Sequence, residues 1–292
     1  MLPESADVFG DQVAAYRGEL FAHCYRMLGG VDEAEDALQE ALTRAWQGRH
    51  MYREAISFRA WLYRIATNTC LNVIAARKRD RTEPGPCPDA LLTGIASEEA
   101  GPEARYAMRE SVSLAFLTVL QVLPPRQRAV LLLRDVLAFR GAEVARLLET
   151  SVQAVNSSLQ RARSTLRGSS SGPDPANPPN LLERYIRAWE AADVAGLVAL
   201  LREDAVLTMP PKPSVIGARS IGDFLGAAIF PMAPMRLVAG RANQGNAFAA
   251  YVQERLFALL VIDGDGERIR GIHAFADPRE LARFDLPVSL AG

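Results

Sequence analysis

The sequence predicts a multidomain protein: two all-α modules followed by an α+β module. Two stretches rich in proline, glycine and serine divide the 292 residues. Apolar residues before the second stretch recur every three to four positions, and those after it fall mainly in short runs bounded by turn residues. The dividing stretches are residues 81–111, containing Pro84, Gly85, Pro86, Pro88 and Gly94, and residues 169–180, a Ser-Gly-Pro-Asn run. They leave modules at 8–80, 112–168 and 181–292.

The chain is 49% hydrophobic and 23% charged, with a net charge of −1. A near-neutral chain does not coat nucleic acid by bulk charge, so any such contact must rest on local clusters. Two exist: Arg77, Lys78, Arg79 and Arg81, and Arg161, Arg163 and Arg167. No run of about 18 uncharged apolar residues occurs, and an N-terminus with Glu4, Asp7 and Asp11 lacks a basic-then-apolar leader. A cytoplasmic protein with no membrane partner is expected. Cys24, Cys70 and Cys87 are odd in number without metal-ligand spacing, and His23, His50 and His273 are far apart. Reduced thiols and no metal or cofactor are expected.

In the first module, Asp32 can cap a helix whose first turn carries Glu33, Glu35 and Asp36, charges favoured at the positive end of the helix dipole. Ala34, Ala37, Leu38, Ala41, Leu42, Ala45 and Trp46 form one apolar stripe, leaving Asp36, Gln39, Glu40 and Arg44 on the opposite face. A later helix places Phe58, Trp61, Leu62, Ile65, Thr69 and Val73 inward, with Arg59, Arg64, Asn68 and Asn72 on other faces before Arg77, Lys78 and Arg79. Aromatic groups that stack on unpaired bases, amides that bond base edges and cations that follow the backbone together suit single-stranded DNA. The alternative is that Phe58, Trp61 and Tyr63 are core.

In the second module, Leu123-Pro124-Pro125-Arg126-Gln127-Arg128 opens a helix with prolines in its first turn, where a missing amide donor costs little. A short helix from Gly141 to Leu148, a tight connection at Glu149-Thr150-Ser151 and a helix from Val152 to Leu166 then form a helix-turn-helix around Val144, Leu148, Val152, Val155 and Leu159. Gln153, Asn156, Ser157, Gln160, Arg161 and Ser164 fall outside the buried stripe and are candidates for the major groove. There Gln and Asn pair with adenine and Arg with guanine. A two-helix core hairpin without DNA binding would show similar periodicity.

In the third module, Leu181–Ala192 and Val194–Leu201 read as helices, and 205–209, 247–251, 256–262 and 268–275 as strands. A turn is expected at Asp263-Gly264-Asp265-Gly266. Helices closing over a curved sheet are the expected packing.

Asp32-Glu-Ala-Glu-Asp36 with Gln39-Glu40 and Trp46, then Phe58-Arg-Ala-Trp61 through Asn68, resemble region 2 of extracytoplasmic-function (ECF) sigma factors. Leu123 to Arg128, Glu143-Val-Ala and Ala154 to Arg163 resemble region 4. The resemblance spans about residues 8 to 168. It implies an alternative sigma factor that binds core RNA polymerase through Asp36, Gln39 and Glu40. Trp61, Asn68, Asn72, Arg77, Lys78 and Arg79 would melt and read the −10 element of promoter DNA, and Gln153, Asn156, Ser157, Gln160, Arg161 and Ser164 the −35 element. The acidic residues of the first linker, Glu83, Asp89, Glu98, Glu99 and Glu103, would run near the RNA path.

Leu181 to Tyr185, Trp189, Asp193, Leu207-Thr-Met-Pro-Pro211 and the ending from Ile272 to Pro287 resemble the SnoaL-like fold of the nuclear-transport-factor type. This implies a cone-shaped domain with a side pocket lined by Tyr185, Trp189, Met209, Phe224, Phe230 and His273. Each of these would also serve as plain core. Asp193 and His273 are the only polar candidates for catalysis and lack a third partner, so a non-enzymatic domain is expected, modulating the sigma modules by docking on them within the chain. Two departures stand out: Glu149 sits where the helix-turn-helix commonly has Gly, and Phe139-Arg140-Gly141 is an unusual approach to it. A helix-turn-helix repressor with a ligand-sensing domain, or an enzyme with a DNA-binding appendage, would need neither the acidic helix at 32–46 nor the basic aromatic helix at 58–79.

Overall fold

The computed structural model describes residues 6–52, 56–77, 84–92, 111–167, 179–232, 235–264 and 267–290. The chain forms two compact units, Met1–Ser171 and Gly172–Gly292.

The first unit is helical. It begins with α1 (Ala6–Ala14), α2 (Arg17–Leu28), α3 (Val31–Gly48) and α4 (Phe58–Ala76). Helix α2 ends at Gly29, whose φ of 83° is a left-handed conformation that glycine adopts without the Cβ penalty. Helix α4 starts at Ser57, whose hydroxyl accepts from the Ala60 amide at 3.1 Å. Its buried face is Ala60, Leu62, Tyr63, Ala66, Thr67, Thr69, Cys70 and Ile74. Phe58, Trp61, Ile65 and Val73, expected inward, are only half-buried. Helix α4 packs against α2 and α3 and also against the second helical group, so its buried surface is wider than one stripe and centred elsewhere.

Residues 84–92 were expected within a linker, yet they are built into the unit. The Gly85 amide donates to the Gly29 carbonyl at 3.0 Å, the Tyr25 hydroxyl donates to the Gly85 carbonyl at 2.6 Å, and Cys87 and Leu92 are buried. The remaining linker acids, Glu83, Glu98, Glu99 and Glu103, lie outside the described residues.

The second helical group comprises α5 (Leu114–Val122), α6 (Pro125–Leu131), extended by a π turn at Leu132–Val136, α7 (Gly141–Leu147) and α8 (Val152–Arg167). Helices α7 and α8 form the helix-turn-helix. Its core holds Val144, Ala145, Leu147, Val155, Leu159 and Ala162, whereas Leu148 is half-buried and Val152 is 44% exposed, contrary to expectation. The turn places Glu149 at φ 51°, the left-handed conformation that usually favours glycine, and closes with the Thr150 amide donating to the Ala145 carbonyl at 2.8 Å.

Two buried arginines join the helical groups. Arg26 of α2 donates from Nε to the Ser111 carbonyl at 3.1 Å and from Nη2 to the Ser111 hydroxyl at 2.6 Å. Arg128 of α6 donates to the carbonyls of Met27, Gln121 and Leu123 and to the Gln121 side chain. Burial lowers both guanidinium pKa values to about 10, which leaves the groups charged at neutral pH.

The second unit is α+β: α9 (Pro179–Glu190), α10 (Val194–Leu200), β1 (Leu201–Met209), β2 (Lys212–Ile216), α11 (Ala218–Phe224) with a π turn at Leu225–Ile229, β3 (Met235–Ala242), β4 (Gly245–Val252), β5 (Arg255–Gly264), β6 (Ile269–Phe275) and α12 (Pro278–Leu281). The sheet order is β2-β1-β6-β5-β4-β3. Strands β1 and β6 are parallel and every other neighbouring pair is antiparallel. Strands β2 and β3 and helix α11 were not foreseen. Leu181, Tyr185 and Trp189 of α9 pack with Leu207, Phe248, Leu260 and Ile272 from one face of the sheet.

Candidate polymerase and promoter surfaces and a cavity

Helix α3 divides as its periodicity requires. Val31, Ala34, Ala37, Leu38, Ala41 and Ala45 are buried, and Asp36, Gln39 and Glu40 are exposed together on the other side. Glu40 holds Arg44 at 2.7 Å, an i,i+4 pair in open solvent. Trp46, expected in the buried stripe, is 38% exposed, with the Arg49 guanidinium 4.1 Å above its ring and Phe9 edge-on at 5.6 Å.

On α4, Trp61 belongs to a part-buried aromatic cluster, its ring 5.7 Å from Phe58, 5.4 Å from Tyr52 and 6.4 Å from Phe9. Asn68 is half-buried and Asn72 exposed. Arg77 does not stand free beside them. Its Nη2 donates to Glu33 at 2.6 Å and to the Leu28 carbonyl at 3.1 Å, which ties the end of α4 to the start of α3. The expected basic cluster therefore loses this member to the bundle. Lys78, Arg79 and Arg81 lie outside the described residues.

Side chains of α4 meet the helix-turn-helix and its approach. Arg64 pairs with Glu149 at the turn, and the Arg59 guanidinium lies 5.0 Å from the centre of the Phe139 ring while donating to Glu19 at 2.9 Å. Glu149 thus bonds to α4 from the strained position of the turn, and Phe139 of the unusual approach packs edge-on to Tyr63 at 5.4 Å. Gln153, Asn156, Ser157, Gln160, Arg161 and Ser164 are all exposed along α8, opposite Val155, Leu159 and Ala162. Neighbouring Arg163 is held by Asp135 at 2.7 Å.

In the second unit, a cavity of about 450 Å³, counted out to its mouth, is lined by Trp189, Leu207, Met209, Phe224, Leu225, Ile229, Met235, Ala250, Phe257, Ala258, Leu260, Ile272, Ala274 and Ala276. Trp189, Met209 and Phe224 were expected there. Tyr185 and Phe230 instead stand behind the wall, with ring centres 5.7 and 5.4 Å from Trp189. His273 is misplaced by the expectation: it alternates with the lining residues Ile272 and Ala274 and so projects from the opposite face of the sheet. There its Nδ1 meets the Thr208 hydroxyl and its Nε2 the Asp263 carboxylate, each at 2.9 Å. Gly271 leaves room for this ring, since a Cβ at that position would lie 3.1 Å from His273 Nε2. Asp193 caps α10, accepting from the Gly196 amide at 2.9 Å. The two polar candidates therefore occupy separate structural roles and share no site.

Among the wall residues that the sequence reading missed are Ala250, Ala258, Leu260 and Ala274 on β4, β5 and β6. Their signal was alternation: Ala250 pairs across strands with Ala258, and Leu260 with Ala274. Three alanines on adjacent strands leave the space that larger side chains would fill.

Comparison with known proteins accounts for most of the chain. Residues 12–82 match the Sigma-70 region 2 family, residues 113–166 Sigma-70 region 4, and residues 182–276 the SnoaL-like domain. The ECF RNA polymerase sigma factor SigG of Mycobacterium tuberculosis is 40% identical over 313 residues, covering 97% of this chain and 85% of its own. The chain belongs to the ECF RNA polymerase sigma factor family. Within that family, SigW of Bacillus subtilis is 32% identical over 165 residues, covering 55% of this chain and 88% of its own. The crystal structure of the ECF sigma factor SigJ of M. tuberculosis shares the fold, with a TM-score of 0.68 at 23% identity, covering 95% of this chain and 99% of that one. This protein is accordingly an alternative sigma factor with a SnoaL-like C-terminal domain.

Proposed function

We propose that the protein directs core RNA polymerase to promoters through three separate surfaces of its first unit. Asp36, Gln39 and Glu40 on α3 form the polymerase-binding face. Trp61, Asn68 and Asn72 of α4, continued by Lys78 and Arg79, engage the −10 strand, where stacking and amide hydrogen bonds act on unpaired bases. Gln153, Asn156, Ser157, Gln160, Arg161 and Ser164 enter the major groove at −35. The observation that carries this reading is the exposure of all six α8 residues on a helix whose other side is buried in the helix-turn-helix core. Arg77, bound to Glu33, acts as a structural tie between helices.

The SnoaL-like domain modulates this activity and does not catalyse. Among the described residues its cavity lining contains no acid, base or nucleophile, and a reaction would need at least one such group. Run-off transcription with core polymerase tests both parts. Asp36→Lys with Glu40→Lys should abolish holoenzyme formation at unchanged helix content, and Arg161→Ala should lose about 1–3 kcal/mol of discrimination at one −35 position. A chain ending at Gly168 should differ from the full chain in promoter output. Undiminished holoenzyme formation by the double variant overturns the polymerase face, and identical output from the two chain lengths overturns the modulation.

A further inference from the structure

Two departures from the ECF pattern in region 4, Phe139 and Glu149, both meet α4. Phe139 is buried against Tyr63, with ring centres 5.4 Å apart, and the Arg59 guanidinium lies 5.0 Å from the centre of its ring. Glu149 bonds to Arg64. The turn itself does not ask for a carboxylate: at φ 51° glycine is the residue without a steric penalty, so a glutamate stands there against the local preference. Arg64 comes four residues before Asn68, which places the two on one side of α4. The helix-turn-helix therefore sits against the edge of the surface assigned to the −10 strand, with Arg64 engaged by a carboxylate of region 4. Deeper in, Arg26 reaches Ser111 and Arg128 reaches the Met27 carbonyl, so regions 2 and 4 are joined in one compact unit.

That unit cannot read both promoter elements at once. About 25 base steps of about 3.4 Å separate −35 from −10 by about 85 Å, whereas a compact unit of about 170 residues is about 40 Å across. We infer that Glu149, seated by Phe139, is an autoinhibitory latch: paired with Arg64 of α4 it holds the free protein closed, and binding to core polymerase releases it. Release frees Arg64 to meet a DNA phosphate beside Asn68, because a guanidinium pairs with an anionic backbone as it did with the carboxylate. The paired side chains are 41% and 70% exposed, so the latch biases opening by only about 1.5-fold to fivefold. A polymerase that takes only the open form binds more weakly in proportion to the closed fraction, which makes this bias readable as a change in apparent Kd. The inference rests on the two promoter surfaces proposed above, but its test uses no DNA.

Nitroxide labels at Gln12→Cys on α1 and Thr165→Cys on α8, both exposed positions, report the separation of regions 2 and 4 in the full chain, whose native cysteines are buried. Double electron–electron resonance should give one short separation for the free parent and a longer one when core polymerase is added. Glu149→Gly should move part of the free population to the long separation and tighten polymerase binding about 1.5-fold to fivefold. Glu149→Arg, which sets a like charge against Arg64, should do both more strongly. The exchange Arg64→Glu with Glu149→Arg should return both readings to those of the parent. A residue that only shaped the turn would behave otherwise: glycine fits φ 51° better and would leave the separation unchanged. A separation that stays short in the polymerase complex overturns the closed resting state. Separations and affinities that match the parent in both single variants, or an exchange that does not restore them, overturn the latch. Failure of the polymerase face would show separately, as undiminished binding by Asp36→Lys with Glu40→Lys.

Discussion

Both units bury a largely apolar core, but they differ in the polar groups they enclose with it. In the first, Arg26, Arg128 and Gln121 are buried where the region 2 helices meet the region 4 helices, and both arginines bond to main-chain carbonyls and neutral side chains. In the second, the core cluster from Leu181 to Ala274 is apolar throughout, apart from the two orphaned donors Tyr185 and Trp189. Buried cations cost desolvation that carbonyl hydrogen bonds only partly offset, and water recovers that cost when such a seam opens. An apolar core has no such compensation. The first interior therefore specifies how two promoter-reading modules fit while holding them less firmly than its area suggests. The second holds one shape around a cavity.

The comparison can be broken most directly at its largest side chains. Trp189→Ala should lower the stability of the second unit by about 3–5 kcal/mol, the usual cost of deleting a buried aromatic. Native-state hydrogen exchange should show the loss in β4 and β5 amides and leave α2 and α3 unchanged.

Arg128→Ala strips the Met27, Gln121 and Leu123 carbonyls of their donor and should cost about 3 kcal/mol in the first unit. Arg128→Met removes the same charge but fills similar volume, so it should cost clearly less because it leaves no cavity. Equal losses from the two variants, read by exchange of α2 and α6 amides, would mean that the hydrogen bonds alone set the strength of the seam.

Acid should act on the first unit through His23. Burial, reinforced by Arg26 and Arg59, pushes its pKa down to about 3, so the folded unit holds the ring neutral. The unfolded chain, near its ordinary 6.5, binds the proton first as pH falls. The contribution is fully present above about pH 6.5 and declines by up to about 1.4 kcal/mol per pH unit towards pH 3. His23→Gln should flatten that slope in a urea titration series from pH 7 to 4.

The smallest effect belongs to the surface. Arg163 and Asp135 are paired at 2.7 Å with side chains 50% and 31% exposed. Asp135→Asn should change stability by less than about 1 kcal/mol, and by less still in high salt.

The sequence by itself determined the two helical modules, the faces of α3 and α8, the turn at Glu149 and the SnoaL-like resemblance. Those features are local: a 3.6-residue period sorts one helix into two faces without reference to anything else. Neither hairpin turn beside β4 carries the usual glycine signal. Asn243 and Gln244 take the positive φ values, 54° and 61°, as Gln253 and Glu254 do between β4 and β5. Tertiary structure alone decided which of several polar and aromatic residues were already committed. Arg77 is spent on Glu33 and His273 on the far face of the sheet, and Trp46 is half out of the core. The buried arginines and the alanine-lined cavity belong to the same class, because partners such as those of Arg26 and Arg128, 85 and 101 positions away, depend on how whole elements pack, which no short window of sequence contains.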